Sequence, residues 1–279
     1  MKNSFKTQLI EIALRDLKAA SILYENKLYA QSYFLFQQAS EKSNKAFGIS
    51  TDLIDEKESK KLSHNQLELL NISANSLLLE IEKFKLRLTE NPEIEKHQLI
   101  NKIDLKSNRN SIIQGLDYIK SLQKIDSLNF SNSDYKYFIE TLKELYEFRF
   151  KIDRKSLNKL KISIDIYLDF IEKFATLNDS IEVKKVFAEE NRVAVTGILE
   201  NFAKHQFRII FIYYTFFFCA IVTAKHSTSP RYPNNNNNPL LFYRKSNTLV
   251  KFQPVLMDYL NLALKMFKKY ESDIYNCRK

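Results

Sequence analysis

Hydrophobic positions along this chain recur at three- and four-residue steps, the period of helices that each bury one face. Leu9, Ala13, Leu17, Ala20 and Tyr24 draw one such stripe and predict a helix from Phe5 to Tyr24. Asn26-Lys27 predicts a turn, and Tyr29, Tyr33, Phe36 and Ser40 mark one face of a second helix from about Leu28 to Phe47. Gly48 is expected to stop it in the left-handed conformation. So short a turn makes the two helices antiparallel neighbours. Ser63-His64-Asn65 then reads as a cap opening a helix through Leu67, Leu70, Leu77 and Ile81 to Leu88, ended by Asn91-Pro92. Helical periodicity continues over 112–125, 135–150 and 157–174, pieces able to pair as a satellite bundle.

A longer helix is predicted from near Val186 through Phe202 into Arg208, and Ile209 to Ala224 carries no charged residue. That apolar run rises about 24 Å as a helix, short of the roughly 20 residues a bilayer core needs. A buried central helix is therefore expected, and a membrane is not an expected partner. His226-Ser-Thr-Ser-Pro-Arg-Tyr-Pro233 follows as a stiff, basic, aromatic elbow, then five asparagines, Asn234 to Asn238. Pro230, Pro233, Pro239 and Pro254 cluster here, so the helical run must stop. Pro254 suits the first turn of a last helix whose face is Leu256, Leu260, Ala263, Leu264 and Phe267.

Composition narrows the function classes. Three glycines in 279 residues is far below the usual roughly 7%. None sits in a Gly-x-Gly-x-x-Gly or Gly-x-x-x-x-Gly-Lys pattern, which excludes Rossmann dehydrogenases, P-loop ATPases and protein kinases, and likewise the Gly-Ser opening of a nucleotidyltransferase site. A net charge of +10 favours acidic partners, nucleic acid first and an anionic membrane surface second, unless it is only a lysine-rich solvated surface. Cys219 and Cys277 have no metal-ligand spacing, so neither a disulfide scaffold nor a metal site is expected. Met1 to Lys6 runs directly into an amphipathic helix with no signal peptide, and a cytoplasmic setting is expected.

Three pieces of the chain then add up to a family. Leu14-Arg15-Asp16-Leu17-Lys18-Ala19-Ala20 with Tyr33-Phe34-Leu35-Phe36-Gln37-Gln38-Ala39-Ser40-Glu41-Lys42 resembles the first helix pair of HEPN domains, helical domains of prokaryotic toxin and nucleotidyltransferase-linked proteins. Lys61-Leu62-Ser63-His64-Asn65 resembles the segment that follows in longer, mainly archaeal members, with Gln66 where a proline is common. Arg231-Tyr232-Pro233 resembles the junction before the final HEPN helix. The likeness covers roughly 5–70 and 190–275. It implies an all-α, up-and-down helical bundle formed by 1–50 and 190–279, with 51–189 as a central helical insertion. It also implies a homodimer and a minimal nucleotidyltransferase as partner, in a toxin–antitoxin or defence-type system.

Many HEPN proteins are metal-independent ribonucleases with an Arg-x4-6-His motif, in which histidine moves a proton and arginine neutralises developing charge on one phosphate. The four histidines allow a complete test. The positions five to seven residues before His64, His97, His205 and His226 hold no arginine, so the motif is absent. A reversed pair, His226 with Arg231, remains as a catalytic candidate. The competing reading makes the elbow a junction in which Tyr232 packs beneath the turn and Arg231 caps carbonyls of the apolar helix. His64 is expected in a helix cap. The sequence thus favours a non-catalytic HEPN protein that needs no cofactor and binds nucleotide or RNA phosphate. Arg231 would contact phosphate, Tyr232 would stack, and His226 and His64 would hydrogen-bond. An endoribonuclease using His226 and Arg231, and a structural or membrane-associated assembly protein, are the alternatives.

Overall fold

The computed structural model describes residues 4–96, 100, 104–124, 130–148, 192–227, 229–232 and 238–277. The helical pattern over 157–174, Pro233 and Asn234 to Asn237 lie outside them. Among the described residues there are ten helices and no strand, so the chain is all-α.

Helix α1 (Phe5–Glu25) starts at Ser4, whose extended backbone leaves its hydroxyl to accept from the Thr7 amide at 3.4 Å. It buries Leu9, Ile10, Ala13, Leu17 and Ala20, the stripe its spacing predicts. Lys27 takes a positive φ of 63° and reverses the chain into α2 (Tyr29–Ser50). The inner face of α2 mixes Tyr33, Phe36 and Ala46 with Ser32, Ser40 and Ser43, all at most 1% exposed. Small residues there let the two helices approach closely. The Ser32 hydroxyl donates to the Ala20 carbonyl at 2.7 Å and itself accepts from Gln253 Nε2 at 2.7 Å, tying three helices through one buried oxygen.

Gly48 does not end α2. It lies inside the helix, no glycine has positive φ, and Asp52 (φ 55°) takes the left-handed position instead. The lack of a side chain at Gly48 serves packing: a Cβ there would stand 3.1 Å from Ile54 Cγ1 and 3.1 Å from Leu69 Cδ1. Next come α3 (Glu56–Lys61), opened by a capping box between Asp55 and Glu58, α4 (Gln66–Glu90) and α5 (Pro92–Glu95). The Asn65 side chain accepts from the Glu68 amide at 3.2 Å, so Asn65 supplies the cap and His64 is released for another contact. Gln66, 3% exposed, accepts from the Ser40 hydroxyl at 3.0 Å and donates to Thr223 Oγ1 at 3.1 Å. A proline side chain could make neither bond.

After α6 (Leu105–Lys124) and α7 (Asn132–Phe148) comes α8 (Arg192–Thr223), which buries Phe211, Ile212, Phe216, Cys219, Ala220, Ile221 and Val222. One stretch of α8, His205–Thr223, is long and apolar enough to cross a membrane, and 56% of it is buried inside the protein. Its apolar character serves the core, as expected. Helix α9 (Pro239–Phe242) is a single turn, and α10 (Thr248–Cys277) completes the chain with Leu256, Leu260, Ala263, Leu264 and Phe267 inside.

Pro254 stands further into α10 than its first turn, because Asn247 caps the helix at the Leu249 amide at 3.0 Å. Proline has no N–H to give the carbonyl four residues back. That carbonyl belongs to Val250, and the Tyr24 hydroxyl donates to it at 3.1 Å.

The chain divides into two compact units. The first comprises 1–76, 115–145 and 209–279; the second comprises 77–114 and 146–208. In the first, Leu67 and Leu70 of α4 and Ile119 and Leu122 of α6 form one cluster with Ala220 and Ile221 of α8. Tyr135 and Phe138 of α7 stack on Phe252 and Phe218 at 5.2 and 4.7 Å. In the second, Arg109 pairs with Glu82 at 2.7 Å across α6 and α4.

Candidate functional site

The apolar helix α8 ends at Thr223, which leaves carbonyls of its last turn without helical donors. The Tyr33 hydroxyl donates to one of them, Val222, at 2.9 Å. This is the capping task that the junction reading gives to Arg231, and a buried tyrosine from α2 performs it. The chain then turns His226 inward, 4% exposed, where Nδ1 lies 2.6 Å from the Tyr243 hydroxyl and the ring meets Tyr33 edge-on at 5.1 Å. Burial pushes the hydroxyls of both tyrosines well above their ordinary range, so both stay neutral. His226 is thereby part of a closed aromatic core.

Arg231 and Tyr232 go the other way. Both are exposed, Tyr232 by 57%, so Tyr232 is not packed beneath the turn. The Arg231 guanidinium lies over the Phe34 ring at 4.9 Å and over the Tyr232 ring at 5.1 Å. Two aromatic faces hold the planar cation in place by cation–π attraction while its edge stays open to a ligand.

His64 belongs to a third arrangement. Its Nδ1 lies 2.7 Å from Glu41 Oε2, and Lys45 Nζ pairs with Glu41 Oε1 at 2.8 Å and donates to the Ser63 carbonyl at 2.5 Å. Burial raises the Glu41 pKa, and the hydrogen bonds and charges of Lys45 and His64 more than offset this, so the net shift is downward. An ionised Glu41 can only accept, so His64 Nδ1 carries the proton and Nε2 is the nitrogen left for a ligand. The His64 side chain is 56% exposed while that of Glu41 is 8% exposed: a buried carboxylate orients an accessible imidazole.

One helix positions all of this. Phe34, Glu41 and Lys45 are seven and four residues apart on α2, hence on one line about 16 Å long. Gln38 lies beside that line and accepts from Lys42 Nζ at 3.1 Å; Lys42 also pairs with Asp16 at 2.9 Å. Arg231, Tyr232 and His64 are therefore gathered along one face of α2, whereas His226 lies behind it against Tyr33. Phe34, Glu41 and Lys45 were not read from the sequence as site residues. The signal was available only as Gln-Gln-Ala-Ser-Glu-Lys, a motif naming a family without stating what its glutamate holds. Among the described residues no group of three or more His, Cys, Asp or Glu is gathered as a metal site requires.

The comparisons with known proteins agree with the helix pair. The family model for the HEPN domain matches residues 7–153, from α1 through α7 and beyond. No curated protein and no solved structure matches the chain. The match spans more than half of the sequence and contains Phe34, Glu41, Lys45 and His64, and on it the chain belongs to the HEPN domain family.

Proposed function

We propose that this HEPN protein is a non-catalytic member that binds nucleotide or RNA phosphate along the outer face of α2. It acts as a cytoplasmic homodimer with a partner such as a minimal nucleotidyltransferase, in a toxin–antitoxin or defence-type system. The observation that carries this reading is the Arg231 guanidinium lying over both the half-buried Phe34 ring and the Tyr232 ring, with Arg231 and Tyr232 themselves exposed. A phosphate would meet the guanidinium edge, and a base would stack on Tyr232. His64 adds a second contact two turns along the helix. Lack of catalysis is supported by the missing Arg-x4-6-His motif and by His226, whose burial keeps it from a substrate phosphate.

Binding of a fluorescent single-stranded RNA oligonucleotide, and of ATP, by the wild type and Arg231→Ala provides the test. The variant should bind roughly 10-fold more weakly with its melting temperature nearly unchanged, since an exposed guanidinium contributes little to stability. Unchanged affinity would remove the site. Metal-independent cleavage of the RNA that is abolished by His226→Ala would replace the non-catalytic reading with the endoribonuclease one.

A further inference from the structure

The short helix α9 is built with opposite ends of its chemistry on opposite sides. Pro239, at its first position, is buried, and the Asn238 side chain accepts from the Leu240 amide at 3.0 Å. Asn247 Nδ2 donates to the Phe242 carbonyl at 3.1 Å, while Phe242 and Tyr243 turn inward against His226 at 6.2 and 5.8 Å. These contacts fix the turn from both ends. The two residues between them, Leu240 and Leu241, are pushed outward and are 73% and 65% exposed, the two highest values among the exposed large hydrophobic side chains described.

The charge along this part of the chain is one-sided. Between Glu200 and Asp258 the sequence holds seven Lys and Arg residues and no Asp or Glu. Arg244 and Lys245 follow the tip after Phe242 and Tyr243 and are exposed.

We propose that the Leu240–Leu241 tip is a membrane-surface anchor: the two leucines enter the interface of an anionic bilayer while Arg244 and Lys245 hold lipid phosphates. A projecting pair of leucines with basic flanks fits a fluid apolar phase beneath a negative surface. A polynucleotide offers leucine neither an apolar pocket nor a stacking partner of its own kind, although it would satisfy the charges. The attachment is peripheral and separate from α8, whose apolar residues serve the core. It does not use Arg231, so it stands or falls apart from the RNA-binding reading.

Flotation of the full-length protein with phosphatidylcholine vesicles, with and without phosphatidylserine, tests the anchor. The wild type should float only with phosphatidylserine vesicles, and the Leu240→Ser/Leu241→Ser double variant should lose roughly 10-fold or more of that binding with an unchanged melting temperature. Arg244→Glu/Lys245→Glu should lose binding at least as strongly, as should wild type in high salt. Absence of wild-type binding, or binding indifferent to the leucine substitutions, overturns the proposal. So does a dimer that becomes monomeric in Leu240→Ser/Leu241→Ser, which would make the tip a contact between copies. Loss of RNA affinity in that variant equal to its loss of vesicle binding would also overturn it, making the tip a nucleic-acid contact.

Discussion

Two tyrosine hydroxyls each donate to a helix carbonyl whose helical partner is missing. Tyr24 serves Val250, whose helical partner is lost to Pro254, and Tyr33 serves Val222, beyond which α8 has ended. The two repairs differ in burial. Tyr33 is 1% exposed, and removing its hydroxyl leaves a buried carbonyl with no water to replace the bond. Tyr33→Phe should therefore lower unfolding stability by about 1–3 kcal/mol in a urea titration, whereas Tyr24→Phe, partly open to solvent, should lower it by about 1 kcal/mol or less. Equal effects would mean that the Tyr33 bond is not the stronger constraint. Neither repair was legible in the sequence, although Tyr33 was read as core and Pro254 as an early helical residue. Spacing gives the face a residue occupies, but which carbonyl its hydroxyl reaches depends on a segment some 190 residues away. The junction reading of Arg231 failed for that reason: the cap it would have supplied was already provided from α2.

At the scale of elements, α2 combines two tasks on opposite faces. Its inner face of serines, alanines and aromatics packs the bundle, and its outer line carries Phe34, Glu41 and Lys45. The two helices and the turn between them were legible, because apolar spacing and the Asn-Lys turn act locally, but the end of α2 was not, since the helix runs past Gly48 to Ser50. The outer line was legible only as a family signature. What makes it a candidate site is the chain returning twice, once at His64 and once at Arg231. Glu41 connects the first return to the helix, with a consequence for pH. Its folded pKa lies below the ordinary value of 4.5, so the pairing contributes its stability in full above that pH and loses it as pH falls through the folded value. Glu41→Gln should accordingly be less stable than wild type at neutral pH. The difference in melting temperature between the two proteins should shrink on acidification below about pH 4.5. A difference constant from neutral to acid pH would show that Glu41 acts by shape alone.

At the scale of the whole molecule, the sequence joins the two chain ends into one bundle and sets 51–189 aside as an insertion. The compact units group the chain differently in its middle, since 115–145 belongs with both ends and 77–114 does not. The family match, over 7–153, also takes in α6 and α7. Composition does not mark this division: α6 and α7 are as charged as their surroundings, and their buried positions look like any amphipathic helix. Their role comes from what they cover. Ile119 and Leu122 lie 2% and 4% exposed against Ala220 and Ile221, and Phe138 stacks on Phe218. Cutting out 51–189 and joining the flanks would remove these side chains together with Leu67 and Leu70, leaving the apolar surface of α8 without its cover. These five large side chains, at roughly 1.5–3 kcal/mol each, are together comparable with the whole 5–15 kcal/mol by which a domain is ordinarily stable. The shortened chain should therefore fail to give a cooperative thermal transition and should bind a hydrophobic dye. A chain shortened only by 77–114, with a linker joining Ser76 to Gly115, should keep both the transition and the Tyr135–Phe252 stack. A cooperative transition in the 51–189 deletion would show instead that the two chain ends form a sufficient core, and that α6 and α7 are dispensable to it.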